Sequence, residues 1–150
     1  MTDLNPIIAD RFTEHLEVFG KTMEHMDTIQ EIAYRCKAAL DNGNKILFCG
    51  NGGSAADSQH LAAELIGRFK KERRSFASVA LTTDTSALTA IANDYDFDAV
   101  FARQVEGLGR TGDVLIGIST SGNSKNVVKA AEMARSIGMH TIAFTGEGGG

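Results

Sequence analysis

The sequence has few cysteines, a single proline and no long apolar run. Its two cysteines, Cys36 and Cys49, are too few for a disulfide framework, so the simplest interpretation is a reduced, cytoplasmic protein. No segment approaches the ~20 apolar residues that cross a bilayer, and the first residues include acidic side chains without the apolar region of a signal peptide. We therefore expect no membrane association.

The charge balance also narrows the possible functions. The formal net charge of −4 argues weakly against a general nucleic-acid binder. The basic run at residues 70–74 is short and contains a glutamate, which is typical of a solvated loop or helix end. A length of 150 residues suits one domain with its own core, and 16 glycines against one proline indicate tight turns and close backbone approaches.

Residues 6–42 have the apolar spacing of helices, with Asp27 as a candidate N-cap that divides them into two. The segment DNGN at residues 41–44 supplies a stop. The domain would therefore begin with a helical extension over roughly residues 1–43. Apolar residues on both helices predict packing against a sheet, against each other or against another subunit.

From residue 45 onward, short apolar strands alternate with helical patterns. The predicted strands cover residues 45–50, 75–83, 113–119 and 140–146, and the predicted helices cover residues 55–69, 84–94, 97–109 and 125–138. This alternation predicts an α/β fold with a parallel sheet that is covered by helices on both faces. In such a sheet ligands bind at the carboxyl ends of the strands, where two loops rich in small residues are expected here.

The second of these loops, STSGNS at residues 119–124, carries four hydroxyl groups directly before a helix. A helix start offers unpaired N–H groups and a partial positive charge, a combination that suits a phosphate. The loop lacks the patterns of a nucleotide P-loop and of a dinucleotide fingerprint, which favours a sugar phosphate. The alternative is a flexible turn in which Ser124 only caps the helix.

The first loop, GNGGS at residues 50–54, precedes a helix for which Ser54 is the predicted N-cap. Its glycines would let the backbone approach a ligand. On the helix, His60 and Glu64 are four residues apart and share a face with Asp57. They could form half of a zinc site, Glu64 could act as a general base, or the pair could be an ordinary surface contact.

Three segments together strongly resemble bacterial phosphoheptose isomerases, which belong to the sugar isomerase (SIS) domain family. They are CGNGGSAADSQHLAAELIGRF, AIANDYDF and DVLIGISTSGNSKNV, and their spacing matches as well as their content. The resemblance implies a single flavodoxin-like SIS domain over residues 1–150. It also implies a cytoplasmic homotetramer with sites between subunits, in which the first helices would form the centre of the assembly.

The resemblance further implies the conversion of sedoheptulose 7-phosphate into D-glycero-D-manno-heptose 7-phosphate, the first step toward the ADP-heptose of lipopolysaccharide. It gives His60 and Glu64 as zinc ligands, and Glu64 with Thr120 as the catalytic residues. The substrate-binding residues that it implies are Asn51, Gly52, Gly53, Ser54, Glu64, Asn93, Asp94, Ser119, Thr120, Ser121 and Ser124. From the residues alone, Asn93 and Asp94 would be interpreted as a plain helix end.

The chain departs from the family pattern at GEGGG, residues 146–150, where family members continue through a strand and a long helix. That helix supplies a glutamine and a histidine that complete the zinc site, so we expect a truncated chain with a weak metal site and little activity. The rival hypotheses are a non-catalytic SIS protein that binds the replication initiator, a sugar-phosphate sensor, and an isomerase of a different sugar. The presence of Asp57 and Glu64 favours the enzyme.

Overall fold

The structure is a computed structural model that describes residues 4–146 and 148–150. The contacts within the chain group it into two units, Met1–Tyr34 and Arg35–Gly150. The boundary falls inside a helix, so the helical extension predicted for residues 1–43 contributes its last residues to the second unit. The expected end of the family resemblance at residues 146–150 includes Glu147, which lies outside the described residues.

The first unit is helical, as predicted. Helix α1 spans Asn5–Thr22, a 3-10 turn covers Met23–His25, and helix α2 begins at Met26 and runs to Asp41. Asp27 lies in the first turn of α2, so its prediction as the N-cap is wrong. The apolar side chains that recur at helical spacing are all exposed: Ile7, Ile8, Phe12, Leu16, Phe19, Met23 and Met26.

Helix α2 ends at the predicted DNGN segment by a backbone device that requires glycine. Gly43 has a φ of +81°, its N–H donates to the carbonyl of Leu40, and the N–H of Asn44 donates to the carbonyl of Ala39. These two bonds form a Schellman motif, which satisfies carbonyls that the end of the helix would otherwise leave without donors. The stop directs the chain into the first strand.

The second unit alternates strands and helices. In chain order its elements are β1 (Ile46–Gly50), α3 (Gly53–Ile66), β2 (Ser78–Ala80), α4 (Thr85–Asp94), α5 (Val100–Leu108), β3 (Val114–Ser119), α6 (Lys125–Ser136) and β4 (His140–Thr145). All strand pairs are parallel and the order is β2-β1-β3-β4. This confirms the predicted α/β fold, although β2 is shorter than predicted and α3 ends before Gly67.

Both faces of the sheet are covered, because side chains along a strand alternate between the faces. Leu47 and Cys49 of β1 belong to a core cluster with residues of α5 and α6. Ile46 and Phe48 belong to the opposite cluster, with Ala62 of α3. The last turn of α2 joins that second cluster through Ala39 and Leu40. Helices on the two faces therefore fix the sheet, and with it the loops at both ends of the strands.

At the amino ends of β1 and β3, a buried carboxylate binds the strands together. Asp113 is 1% exposed and accepts hydrogen bonds from the backbone N–H groups of Lys45 and Arg110 at 3.0 and 2.8 Å. Its oxygens also accept from Lys45 Nζ at 2.5 Å and from Asn44 Nδ2 at 3.2 Å. Burial raises the pKa of Asp113, but these donors outweigh burial and hold the pKa below its ordinary value.

None of the helices in the described part of the chain combines the length and the hydrophobicity that a membrane span requires.

Candidate functional site

The carboxyl ends of the two central strands bring the two predicted loops together. Strands β1 and β3 are direct neighbours, and Gly50 at the end of β1 pairs with Ile118 near the end of β3. The first loop, residues 50–54, precedes α3 and is called the glycine loop below. The second loop, residues 119–124, precedes α6 and is called the hydroxyl loop. The two loops therefore lie side by side. This is the edge at which ligands bind in open α/β sheets.

The glycine loop requires glycine at two positions, for lack of space at Gly50 and for a positive φ at Gly52. A Cβ on Gly50 would lie 2.8 Å from atoms of Ser54 and 2.9 Å from the carbonyl oxygen of Ile118, so no side chain fits between the strands and α3. Gly52 has a φ of +55° and is the N-cap of α3, so the prediction of Ser54 in that role is wrong. Gly53 has open space around it and an ordinary φ.

The hydroxyl loop forms a compact network. Ser119 Oγ donates to Ser124 Oγ at 3.0 Å and lies 3.4 Å from Ser121 Oγ, which also accepts from the N–H of Asn123 at 3.2 Å. Ser124 occupies the N-cap position of α6, as the alternative interpretation expects, but its hydroxyl bonds to Ser119 and makes no capping bond. Thr120 and Ser121 are exposed. The network gathers hydroxyl groups at a helix start, where an anion is stabilised.

A pair of carboxamides joins the glycine loop to the first turn of α6, directly after the hydroxyl loop. Asn51 Nδ2 donates to Asn126 Oδ1 at 2.9 Å, and Asn126 Nδ2 donates to Asn51 Oδ1 at 2.8 Å. Asn51 is a site residue predicted from the sequence, whereas Asn126, which is buried and is the second residue of α6, is not. No local pattern marks Asn126, because its partner lies 75 residues away.

His60 and Glu64 lie together on α3, with His60 Nε2 and Glu64 Oε1 3.8 Å apart. They border a cavity of about 740 Å³ whose walls are mainly apolar and include Phe48, Ile116 and Phe144. Asp57 is exposed and does not border this cavity. At 1.5 Å per residue, His60 is about 10 Å and Glu64 about 16 Å along the helix axis from its start. The pair is thus separated from the hydroxyl loop.

The distance between His60 and Glu64 can be compared with the geometry of a zinc site. Two ligands of a tetrahedral zinc ion lie roughly 3.4 Å apart, given bond lengths near 2.1 Å, so His60 and Glu64 could bind one ion with a small adjustment. Within residues 4–146 and 148–150, however, no group of three or more His, Cys, Asp or Glu side chains could hold a metal ion. The pair fits zinc as half of a site and needs further ligands from elsewhere.

Asn93 and Asp94 occupy the end of α4, which confirms the helix end predicted there. Asn93 Nδ2 donates to Asp94 Oδ1 at 2.9 Å, and both residues are exposed. The N-cap of α4 is Asp84, whose carboxylate accepts from the N–H of Ala87 at 2.9 Å. None of the hydrogen bonds or ion pairs among the described residues connects Asn93 or Asp94 to the two loops, so their role toward a sugar stays a prediction.

Comparison with known proteins gives the class first. The family model described as the SIS domain matches residues 10–146, which is most of the chain. The chain therefore belongs to the SIS domain family, which confirms the resemblance found in its three sequence segments.

Curated relatives identify the chain's family within the SIS domain proteins more closely. A phosphoheptose isomerase from Akkermansia muciniphila is 61% identical over 143 residues, which cover 95% of this chain and 72% of that relative. One from Neisseria meningitidis serogroup B is 56% identical, with 100% of this chain and 77% of the relative covered. The chain is a member of the phosphoheptose isomerase family.

Solved structures agree with this assignment. A phosphoheptose isomerase from Neisseria gonorrhoeae superposes with a TM-score of 0.92 at 50% identity, covering 99% of this chain and 78% of that one. Another, from Francisella tularensis, superposes with a TM-score of 0.94 at 38% identity and covers 100% of this chain and 78% of that one. The sheet order and the positions of the loops thus belong to a known architecture.

Proposed function

We propose that the chain is a phosphosugar isomerase that converts sedoheptulose 7-phosphate into D-glycero-D-manno-heptose 7-phosphate. The observation that carries this proposal is identity of 53–64% with proteins named phosphoheptose isomerase over most of the chain. The reaction would be the first step toward the ADP-heptose of lipopolysaccharide and would take place in the cytoplasm.

The hydroxyl loop is the proposed phosphate site. The hydroxyl of Ser119 lies within hydrogen-bond distance of the hydroxyls of both Ser121 and Ser124, directly before α6. A hydroxyl rotates freely about its C–O bond, so these groups can redirect their hydrogens from each other to phosphate oxygens. The dipole of α6 adds a favourable partial charge at the same place. The remaining substrate contacts are proposed for Asn51, Gly52, Gly53, Ser54, Glu64, Asn93, Asp94 and Thr120.

Glu64 is the proposed base. It removes a proton from C1 of the open-chain ketose, and the electron pair of that C–H bond forms a C1–C2 double bond while the C2 oxygen gains a proton. Return of a proton to C2 and loss of the C1 hydroxyl proton then give the aldehyde, with no net oxidation. Thr120 positions the sugar chain. General-base catalysis of this kind contributes about 10²–10⁴-fold to a rate.

Zinc is the proposed cofactor, held by His60 and Glu64 together with ligands outside the described residues. When bound, it would polarise the sugar carbonyl as a Lewis acid. Each site would use the pair on α3 with two ligands from a further segment, and the family resemblance assigns these to a glutamine and a histidine.

A homotetramer is the proposed assembly, with sites between subunits. Two observations support it. The apolar side chains of α1, including Phe12, Leu16 and Phe19, are 64–68% exposed, which is costly for a chain in water. His60 and Glu64 also lie well along α3 from the hydroxyl loop of the same chain, so a neighbouring subunit would help to bring the two groups to one substrate.

The test is an NMR assay of sedoheptulose 7-phosphate, with and without zinc. It uses the chain as printed and a version that carries the C-terminal residues of the Neisseria meningitidis relative. Formation of the heptose 7-phosphate by either version supports the proposal. If both versions fold and bind the sugar phosphate without turnover, the alternative of a non-catalytic SIS protein that senses a sugar phosphate or binds a protein partner replaces it.

A further inference from the structure

The carboxamide pair joins Asn51 of the glycine loop to Asn126 in the first turn of α6, directly after the hydroxyl loop. Asn126 Oδ1 accepts from Asn51 Nδ2 at 2.9 Å and from the N–H of Val127 at 3.0 Å, while Asn126 Nδ2 donates to Asn51 Oδ1 at 2.8 Å. The backbone N–H can only donate, so it fixes which end of the Asn126 side chain is the oxygen. Asn51 must then face it in the complementary direction.

Asn126 is the rigidly held member of the pair. Asn126 is 3% exposed, and it lies beside Val127, whose side chain packs in the core. Asn51, in contrast, is only half-buried and stands between Gly50 and Gly52 in the loop. Glycine adopts positive and negative φ about equally, and Gly52 has a positive φ here. The glycines therefore give this loop little intrinsic preference for one conformation. The fixed partner is therefore Asn126, and the adjustable one is Asn51.

We propose that Asn126 is a positioning residue, which holds Asn51 and thereby sets the separation between the glycine loop and the hydroxyl loop. This inference rests on the proposed function, in which Asn51 lines the substrate and Ser119, Ser121 and Ser124 bind its phosphate. Asn126 itself makes no substrate contact.

The pair limits what Asn51 can offer to a sugar. Asn126 occupies one N–H of the Asn51 carboxamide and one lone pair of its oxygen. One N–H and one lone pair stay available, and both have a direction fixed by the pair. A substrate held by its phosphate at α6 would thus meet an amide already aligned, which preserves the entropic advantage of a preorganised site.

A double-mutant cycle tests the proposal with Asn51→Ala, Asn126→Ala and the double variant. It uses the version of the chain that is active in the NMR assay. Asn126→Ala is expected to lower kcat roughly 10–100-fold, because small misplacements of a substrate-aligning group have effects of this size. The competitive inhibition constant of inorganic phosphate should stay within about twofold of wild type, since the hydroxyl loop is intact.

The double variant decides whether Asn126 acts through Asn51. If it does, Asn126→Ala in the Asn51→Ala background lowers kcat by at most about twofold. Single-variant losses that multiply in the double variant would overturn the proposal. So would a loss of phosphate affinity as large as the loss of kcat, because that result assigns Asn126 to the phosphate loop itself.

Asn126→Ser provides a conservative comparison and a second variant should the alanine protein not fold. Serine offers an acceptor at the start of α6 but is too short to hold Asn51. We expect Asn126→Ser to be as impaired as Asn126→Ala, whereas recovery of wild-type kcat would mean that Asn126 serves only the helix start. Asn42→Ala, at the exposed end of α2, is the matched control and should keep wild-type kcat.

The isomerase proposal and the positioning role of Asn126 are contradicted by different results. If wild type has no turnover but binds sedoheptulose 7-phosphate in calorimetry, the isomerase proposal fails and the same cycle is measured in the dissociation constant. Coupled effects of Asn51→Ala and Asn126→Ala on affinity would still support the positioning role, and independent effects would overturn it. Absence of both turnover and binding in a folded wild type overturns both proposals.

Discussion

The amino ends and the carboxyl ends of the central strands both carry dense polar networks, but their hydrogen bonds are used differently. At the amino ends, the carboxylate of Asp113 is 1% exposed and is surrounded by donors from Lys45, Asn44 and Arg110. At the carboxyl ends, the serine hydroxyls of residues 119–124 bond mainly to one another, and Thr120 and Ser121 are exposed.

The difference separates a structural network from a binding network. A buried carboxylate whose donors are supplied by fixed backbone and side-chain groups cannot exchange them for a ligand without a large free-energy cost. Hydroxyls that bond to each other can do so at little cost, because rotation of each O–H group replaces one acceptor by another. We therefore expect substitutions at the carboxyl ends to change turnover or affinity, and substitutions at the amino ends to change stability.

The largest effect is expected for Glu64→Gln, which removes the proposed base and keeps the size of the side chain. In the active version of the chain, kcat should fall by about 10²–10⁴-fold while the circular dichroism spectrum is unchanged. Glu106→Gln is the matched control, because Glu106 forms an exposed pair with Arg103 on α5. A Glu64→Gln variant with the wild-type kcat would remove Glu64 from the chemistry.

Ser119→Ala tests the hydroxyl network itself. A hydrogen bond to a charged group contributes about 1.5–3 kcal/mol, so KM for the sugar phosphate should rise roughly 10–100-fold. The control is Ser136→Ala at the end of α6, where the hydroxyl donates to the carbonyl of Met133 at 2.7 Å and is exposed. An unchanged KM in Ser119→Ala would place the phosphate elsewhere.

The sequence predicted the parts of this comparison that depend on local patterns. Changes from helical to strand spacing gave the elements of the sheet, and glycine and serine clusters gave both loops. The N-cap of α3 was wrong by two residues, because Gly52 reaches a positive φ that lets the helix begin before Ser54. Serine is the commoner N-cap residue, so a local preference selected the wrong position.

Contacts between distant residues could not be predicted in this way. Asp113 binds Lys45 across 68 residues, and Asn126 binds Asn51 across 75 residues. Both contacts follow from the register of β1 beside β3, which a single sequence does not specify. The same limit explains why His60 and Glu64 could be recognised as a pair on one helix face, while the rest of a metal site could not be derived from spacing.

Asp113→Asn should lower the free energy of unfolding by about 1–3 kcal/mol and leave KM unchanged. The pKa of Asp113 lies below its ordinary value of 3.8 in the folded state, so the contribution of the carboxylate is complete above that ordinary value. It declines as the pH falls below 3.8 and is lost once the pH passes the folded pKa.

Urea unfolding of wild type and Asp113→Asn at several pH values measures this change, and the difference between the two proteins should shrink toward acid pH. Asp41→Asn is the control, because Asp41 pairs with Lys37 on the exposed face of α2. A stability difference that is the same at every pH would show that the ionised carboxylate is not what stabilises the amino ends.

The smallest effect is expected for chemical labelling of the two thiols, where the two regions should differ only in the rate of labelling. Burial raises the pKa of Cys49 in β1 to about 12, while Cys36 is half-buried at the border of the apolar cavity and its pKa is raised less. Because the thiolate is the reactive form, iodoacetamide at pH 8 should label Cys36 at least about tenfold faster than Cys49 in the folded protein. A Cys36→Ser variant should then show no fast thiol, and both cysteines of wild type should react equally in urea. Equal labelling in the folded protein would mean that β1 opens as readily as the cavity wall, which contradicts the distinction between a closed sheet and an accessible edge.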